Sequence, residues 1–432
     1  MILSRRMPLL RNYLLNRRCH LCVVGDSTSA QNSSPRKARG ILRGWDIPWA
    51  GYSNLPFAAT SNEGNSGSAS TGWTQVDMGA VMASGETSPA AGVIFERLMG
   101  ATTNHSSTVN RYYLTSLNNY KRGDWTAGKT LTVRLGHVRQ NAGSGGIPGI
   151  CPIITKGLQA GGTSNDSYAN GHNLTGFNTG MQDTLKWLDI TYTNGAALAN
   201  EHDVSPQSGT TDWNGYYGTL YKVFWFVPSA TTGVSYSTLA TSGRNTGHHM
   251  TGGDYSDTAL ESEISMHGTS YPWIVWIQLG ININSGSPVG QAETSGSLQL
   301  IGWKNNVRSI IQRWRTALAN QSVANPIFVV GVPWDTDTGE RFQQATRFAW
   351  ELSGEYDDVC MISYSSLLRK QYGKDWYGLA GGSGALVLAD GVHQSTTGTD
   401  TLEALAWQEI LTGQETYIRS RMGSRADRIA RV

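Results

Sequence analysis

Charged side chains are scarce in this chain: Asp, Glu, Lys and Arg make up 15% of its 432 residues, against roughly 25% in an ordinary globular protein. With hydrophobic residues at 39%, that scarcity excludes a disordered, solvating chain and a coiled coil. The formal net charge of +2 leaves no electrostatic footprint for nucleic acid over the whole chain. Cysteine is limited to Cys19, Cys22, Cys151 and Cys360, too few for a disulfide scaffold. Cys19 and Cys22 form a C-x-x-C without a second pair at metal spacing, so they read as buried thiols. No apolar run reaches the 18 residues that a spanning helix needs. Arginines at 5, 6, 11, 17 and 18 interrupt the N-terminal leucines before they reach the length of a secretion signal, and none is expected.

What the chain does contain is glycine, 51 residues of it, and 15 tryptophans, a mixture that points to a β-rich, loop-rich chain. At 432 residues one hydrophobic core is not expected to serve the whole. "HLCVVGD", "YPWIVWIQLG", "PIFVVGVPW" and "VCMISYSSLL" are continuous apolar runs of strand length. "SLQLIGWKNNVRSIIQRWRTALA", "ERFQQATRFAWELSG" and "TLEALAWQEILTG" read as helices between and after them. That alternation predicts a parallel sheet covered on both faces. From about 73 to 269 the pattern changes to short alternating runs, "LTVRLGHV", "KWLDITYT", "YKVFWFVP" and "GVSYSTL", read as half-buried antiparallel strands. The expected organisation is a basic N-terminal arm at 1–18, a discontinuous α/β domain at 19–72 and 270–415, a β-rich sandwich-like insertion at 73–269, and a basic tail at 416–432.

The first apolar run stops at Gly25-Asp26-Ser27, which would leave Ser27 at a strand end. A serine hydroxyl becomes a nucleophile only beside a base, and a histidine needs an orienting carboxylate. His393 in "LADGVHQSTTG", with Asp390 three residues before it, offers that pair on one tight loop. Donors for a tetrahedral oxyanion are offered by the Gly-rich "NEGNSGSAS" and by "LGINI", which puts an Asn amide after a buried strand.

The order Gly-Asp-Ser, N-x-G-x-S-G, G-x-N, D-x-x-H resembles the block pattern of the SGNH or GDSL hydrolases, esterases and lipases with a flavodoxin-like three-layer α/β fold. The resemblance covers the N-terminal segment and roughly 270–415. It implies Ser27 as nucleophile, His393 as general base and Asp390 as its orienter. The oxyanion hole it implies is formed by the Ser27 amide, the Gly67 amide and the Asn282 side chain, with Gly64 and Gly51 as the other candidates for the glycine. Ile283 stands where the third block usually has Asp. Asp26, Gly280 and Trp45 are the candidates for contacts with substrate.

Family members that act on carbohydrates remove O-linked acetyl groups, and the aromatic, hydroxyl-rich middle of the chain would suit a carbohydrate substrate. The expectation is a carbohydrate O-acetylesterase without cofactor or metal. His248, His249 and Asp254 in "GHHMTGGD" do not form a metal-ligand pattern, since adjacent histidines of a strand point apart. The alternative is a phage virion component, a tail fibre or spike on the same scaffold, with other copies or virion proteins as partners. Either reading favours action outside a cell without classical secretion, with a cytoplasmic protein as the other option.

Overall fold

Continuous apolar runs can be buried on both faces only when helices cover both sides of the sheet, and the computed structural model has that arrangement. It describes residues 2–3, 7–30, 41–42, 44–54, 67–69, 73–77, 99–104, 112–114, 130–137, 153–159, 186–193, 199–206, 217–240, 243–253, 255–282, 300–333, 340–372 and 395–412. The strands in chain order are β1 Ile2–Leu3, β2 Arg18–Gly25, β3 Trp49–Asn54, β4 Gly67–Ala69, β5 Trp73–Asp77, β6 Met99–Asn104, β7 Tyr112–Leu114 and β8 Thr130–His137. They continue with β9 Ile153–Gln159, β10 Lys186–Thr193, β11 Ala199–Pro206, β12 Tyr217–Phe226, β13 Gly233–Thr238, β14 Trp273–Gln278, β15 Ile327–Val332 and β16 Val359–Ser363. The helices are α1 Met7–Asn16, α2 Ser27–Ala30, α3 Asp257–His267, α4 Leu300–Asn320, α5 Glu340–Glu355, α6 Tyr364–Tyr372 and α7 Thr396–Thr412.

Six strands run parallel in the order β3-β13-β2-β14-β15-β16. Every residue of β14, β15 and β16 is buried, as is all of β2 after Arg18. Helices α3, α4 and α5 pack in succession, and α1, α7 and α6 form a second contacting set, giving the three layers. On α4 the buried residues Trp303, Val307, Ile310, Ile311, Trp314 and Leu318 recur at three and four, which turns one stripe of the helix to the core. The three-layer α/β expectation therefore holds.

Three expectations need correction or limits. The "GVSYSTL" run is not a half-buried antiparallel strand: as β13 it is parallel to β2 and β3, and its residues from Gly233 to Ser237 are buried. Its alternating serines imitate a solvent face, but Ser235 and Ser237 are fully buried and flank His20, with Oγ atoms 2.9 Å from Nδ1 and Nε2 respectively. With α3, β13 belongs to the α/β layers, although both fall within 73–269.

Residues 7–18 are no solvated arm. β1 pairs antiparallel with β16, Ile2 opposite Ile362, and α1 buries Met7, Leu10, Tyr13 and Leu14. Two of its arginines are used internally: Arg11 donates to the Ile410 carbonyl, and Arg18 to the carbonyls of Val227, Pro228 and Ala230. The tail at 416–432 lies outside the described residues.

Beyond β3 the sheet continues antiparallel. The second half of β12 pairs with β3 and its first half with β6, while β8 lies on its other edge and carries β10. β5 pairs with β6. A separate four-stranded sheet has the order β4-β7-β11-β9. Arg134 of β8 ties the antiparallel strands to α3: it forms a bidentate pair with Asp189 of β10 at 2.6 and 2.7 Å and donates to the Met266 carbonyl.

Candidate active site

In the parallel sheet the chain passes from β2 to β3 and β13 on one side, then returns past β2 to β14 on the other. The carboxyl ends of β2 and β14 therefore flank the point where the strand order reverses, the place at which open α/β sheets form a crevice. Gly25 is the last residue of β2 in register with β14, opposite Gln278. Ser27 follows two residues later and opens the short helix α2, while Gly280 and Asn282 follow β14. Sequence positions 255 residues apart are thus brought to adjacent strand ends.

The turn after β2 is tightly built. A Cβ on Gly25 would lie 2.6 Å from the Ser29 Oγ and 3.1 Å from the Gln278 carbonyl, so the first residue of the triplet has to be glycine for packing reasons. Asp26 is 1% exposed. Its Oδ1 accepts from the Thr28 N–H at 2.9 Å and from the Thr28 hydroxyl at 2.7 Å. Burial pushes its carboxyl up to about 6, against the lowering effect of the Thr28 bonds and of the Ile281 and Gly280 amides. Its Oδ2 makes no hydrogen bond of ordinary length among the described residues. Ser27 itself is buried, with 4% of its surface accessible.

Across the crevice, Gly280 has φ +150° and backs onto the Pro333 ring, a conformation and a clearance that suit glycine. The Trp303 indole N–H holds the preceding Leu279 carbonyl at 3.0 Å. The Asn282 Nδ2 donates to the Arg244 carbonyl at 3.0 Å. That bond fixes the plane of the amide.

Arg244 belongs to a segment that the sequence reading did not connect with the site. Residues 243–250 follow β13, the neighbour of β2, so they reach the same end of the sheet. Asn245 caps the 3-10 turn Thr246–His249, its Oδ1 accepting from Gly247 N–H at 3.0 Å and lying 2.9 Å from His248 Nδ1. His249 is buried with its ring against the Gly25 carbonyl, and burial, with His248, Arg313 and Arg244 nearby, lowers it to about 3. Arg313 holds this turn by donating to the His249 and Met250 carbonyls while pairing with Asp257 at 2.6 Å. A Gly- and Asn-rich run, "TSGRNTG", immediately after a strand pattern was the available signal.

Of the residues singled out in the sequence, Asp26 and Ser27 follow β2, and Gly280 and Asn282 follow the adjacent strand β14. Asp26 is buried and bound to Thr28, and Gly280 is backed by Pro333, so neither presents a side chain to substrate. Trp45 is exposed but precedes β3 by four residues, at the edge where the parallel strands begin. Roughly 25 Å of strand separate that edge from the carboxyl ends. Gly67 opens β4 in the separate four-stranded sheet, opposite Leu114. Gly51 sits inside the ladder of β3, opposite Ser235 and Phe226. Asp390, His393, Gly64 and Asp254 lie outside the described residues. Among the described residues no group of three His, Cys, Asp or Glu is placed to hold a metal ion. Cys19, Cys22 and Cys360 are buried free thiols, and burial raises Cys19 to about 12.

No family model matches the chain, and no curated protein matches it either. Among solved structures it is similar to one described as a peptidoglycan O-acetylesterase in action, with TM-score 0.54 and 11% identity over 95% of this chain and 97% of the other. A carbohydrate esterase described as displaying divergent catalytic and non-catalytic binding functions is matched at TM-score 0.29 and 12% identity, over 74% of this chain and 93% of that one. A salicylyl-acyltransferase from a tetracycline biosynthetic pathway is matched at TM-score 0.28 and 11% identity, over 73% and 85%. With its six-stranded parallel sheet between two helical layers, this chain has an SGNH-hydrolase-like α/β fold, shared along nearly its full length with the first of these structures.

Proposed function

We propose that this protein is a serine esterase that removes O-linked acyl groups, acetyl foremost, from a carbohydrate. The observation that carries the reading is the meeting of Ser27 and Asn282 at the carboxyl ends of adjacent strands at the switch point, with the Asn282 amide already fixed by the Arg244 carbonyl.

In the proposed reaction the Ser27 Oγ attacks the ester carbonyl while His393, oriented by Asp390, takes the hydroxyl proton. The negative charge that develops on the carbonyl oxygen is met by the Ser27 backbone N–H and an Asn282 Nδ2–H. Collapse of the tetrahedral intermediate breaks the bond to the sugar oxygen, which leaves with the proton from His393. Water, deprotonated by the same imidazole, then releases the carboxylic acid from Ser27. The roles of His393 and Asp390 rest on the D-x-x-H match alone. The remaining backbone donor is assigned to Gly67 on the N-x-G-x-S-G match alone.

A carbohydrate substrate is supported by the fold shared with a peptidoglycan O-acetylesterase and by the aromatic- and hydroxyl-rich composition of residues 73–269. The test is acid release from acetylated glycans and nitrophenyl acetate by wild type and Ser27→Ala. The variant should fold normally and lose activity by about three orders of magnitude or more; full turnover by it would remove the reading.

A further inference from the structure

We propose that Asn306 is a positioning residue: from α4 it holds the turn after β13, through the Thr246 hydroxyl, where the Arg244 carbonyl receives the Asn282 amide. The kinetic consequence rests on the esterase reading, and the coupling of Asn306 to Asn282 rests on hydrogen bonds alone.

Helix α4 reaches both of the turns that meet at Asn282. Trp303 donates its indole N–H to the Leu279 carbonyl at 3.0 Å, at the root of the turn that carries Gly280 and Asn282. One helical turn further on, the Asn306 Nδ2 donates to the Thr246 Oγ1 at 2.9 Å. Two turns beyond that, Arg313 donates to the His249 and Met250 carbonyls at 3.0 and 3.1 Å. At about 3.6 residues per turn, positions 303, 306 and 313 fall on one face of the helix, so a single rigid element sets the height of both turns. The turns are also joined to each other, by the Asn282 Nδ2 on the Arg244 carbonyl at 3.0 Å. The path from α4 through Leu279, Asn282, Arg244 and Thr246 back to α4 is therefore a closed ring.

Asn306 is 1% exposed and stands between Trp303 and Val307, both fully buried. An amide in such a place costs stability unless it is bonded, and Thr246, which receives its bond, is fully buried as well. A leucine at 306 would continue the apolar stripe of the helix; what the amide adds is a fixed height for Thr246. Arg244 lies two residues before Thr246, and Asn245 between them caps the 3-10 turn, its Oδ1 accepting from the Gly247 N–H at 3.0 Å. A shift of Thr246 is thus passed on to the Arg244 carbonyl. Arg313 does not substitute for this contact, because the carbonyls it holds belong to the far end of the turn.

Nuclear magnetic resonance on protein labelled with 15N-asparagine reads the coupling directly, the Asn282 side-chain pair being assigned by its loss in Asn282→Ala. Asn306→Leu should displace that pair, and Thr246→Ala, which breaks the same bond from the turn side, should displace it likewise. On a small acetyl ester, Asn306→Leu should lower kcat by about 10- to 100-fold with KM within about twofold of wild type. That loss should disappear in an Asn282→Ala background, where no amide remains to be positioned. Stability is separated from positioning by Asn306→Leu/Thr246→Val, which removes both polar groups together and should unfold in urea close to wild type while kcat stays low. An Asn282 pair unmoved in both single variants overturns the coupling. Wild-type kcat in Asn306→Leu, an undiminished loss in the Asn282→Ala background, or recovery of kcat in the stable double variant overturns the positioning role. If the Asn282 pair moves as expected and the wild type hydrolyses no ester, the coupling stands and the esterase reading has failed.

Discussion

Gly25, Asp26 and His249 show how closely side-chain chemistry is constrained beneath Ser27. Because a methyl group at position 25 would press on Ser29 and the Gln278 carbonyl, Gly25→Ala is expected to cost about 1–3 kcal/mol in urea unfolding and to disturb the serine turn. Asp26 and His249 carry opposite pH dependences. The folded protein holds the Asp26 proton up to about 6 instead of 3.8, so this residue's contribution to stability is complete below 3.8 and lost as pH rises through about 6. His249 is lowered from 6.5 to about 3, so its contribution is complete above 6.5 and lost as pH falls toward 3. Between pH 4 and 6 the two nearly cancel. Asp26→Asn should therefore unmask a loss of about 1.4 kcal/mol per pH unit on acidification, and His249→Gln a gain of similar slope, both measured by urea titration at pH 4, 5 and 6. Ser27 and Asn282 were legible in the sequence because a nucleophile and an amide after apolar runs are local patterns. Arg244 and His249 were not, because their part depends on β13 lying next to β2, and adjacency of strands is not written in any single segment.

At the level of elements, the parallel strands and long helices of the C-terminal third follow from continuous apolar runs and three-and-four periodicity. β14, α4, β15, α5 and α7 all appear where the sequence predicts them. The errors arise where a pattern has two physical origins. Alternating serines in β13 look like a wetted face, yet they are satisfied inside by His20. Arginines around α1 look like a charged arm, yet the apolar residues between them recur at helical spacing and are buried. "VCMISYSSLL" reads as one strand, but its second half turns into α6 at Tyr364. The α1 correction is testable: Leu10→Ala should cost about 2–5 kcal/mol in urea unfolding, whereas the same change in a solvated arm would cost nothing measurable.

Across the whole molecule, the parallel sheet and the strands beyond it share one hydrogen-bonded ladder, reinforced by Arg134 reaching from β8 to the end of α3. Thermal unfolding is accordingly expected as a single transition, with tryptophan fluorescence and far-ultraviolet circular dichroism coincident; an earlier step in either signal would mark the antiparallel strands as an independent unit. The sequence announced a change of character near residue 73 but gave no sign that β12 would return to β3, since that pairing joins residues about 170 positions apart.

The β12 ladder on β3 also limits how far this chain can be reduced. Stripped to its helical layers and parallel strands, the molecule would expose Gly51 to Asn54 as a bare margin of amides and carbonyls, an invitation to recruit strands from other copies. A compact derivative would have to replace β12 with a short, lysine-bearing margin of its own, so the antiparallel strands guard solubility whatever they contribute to ligand choice.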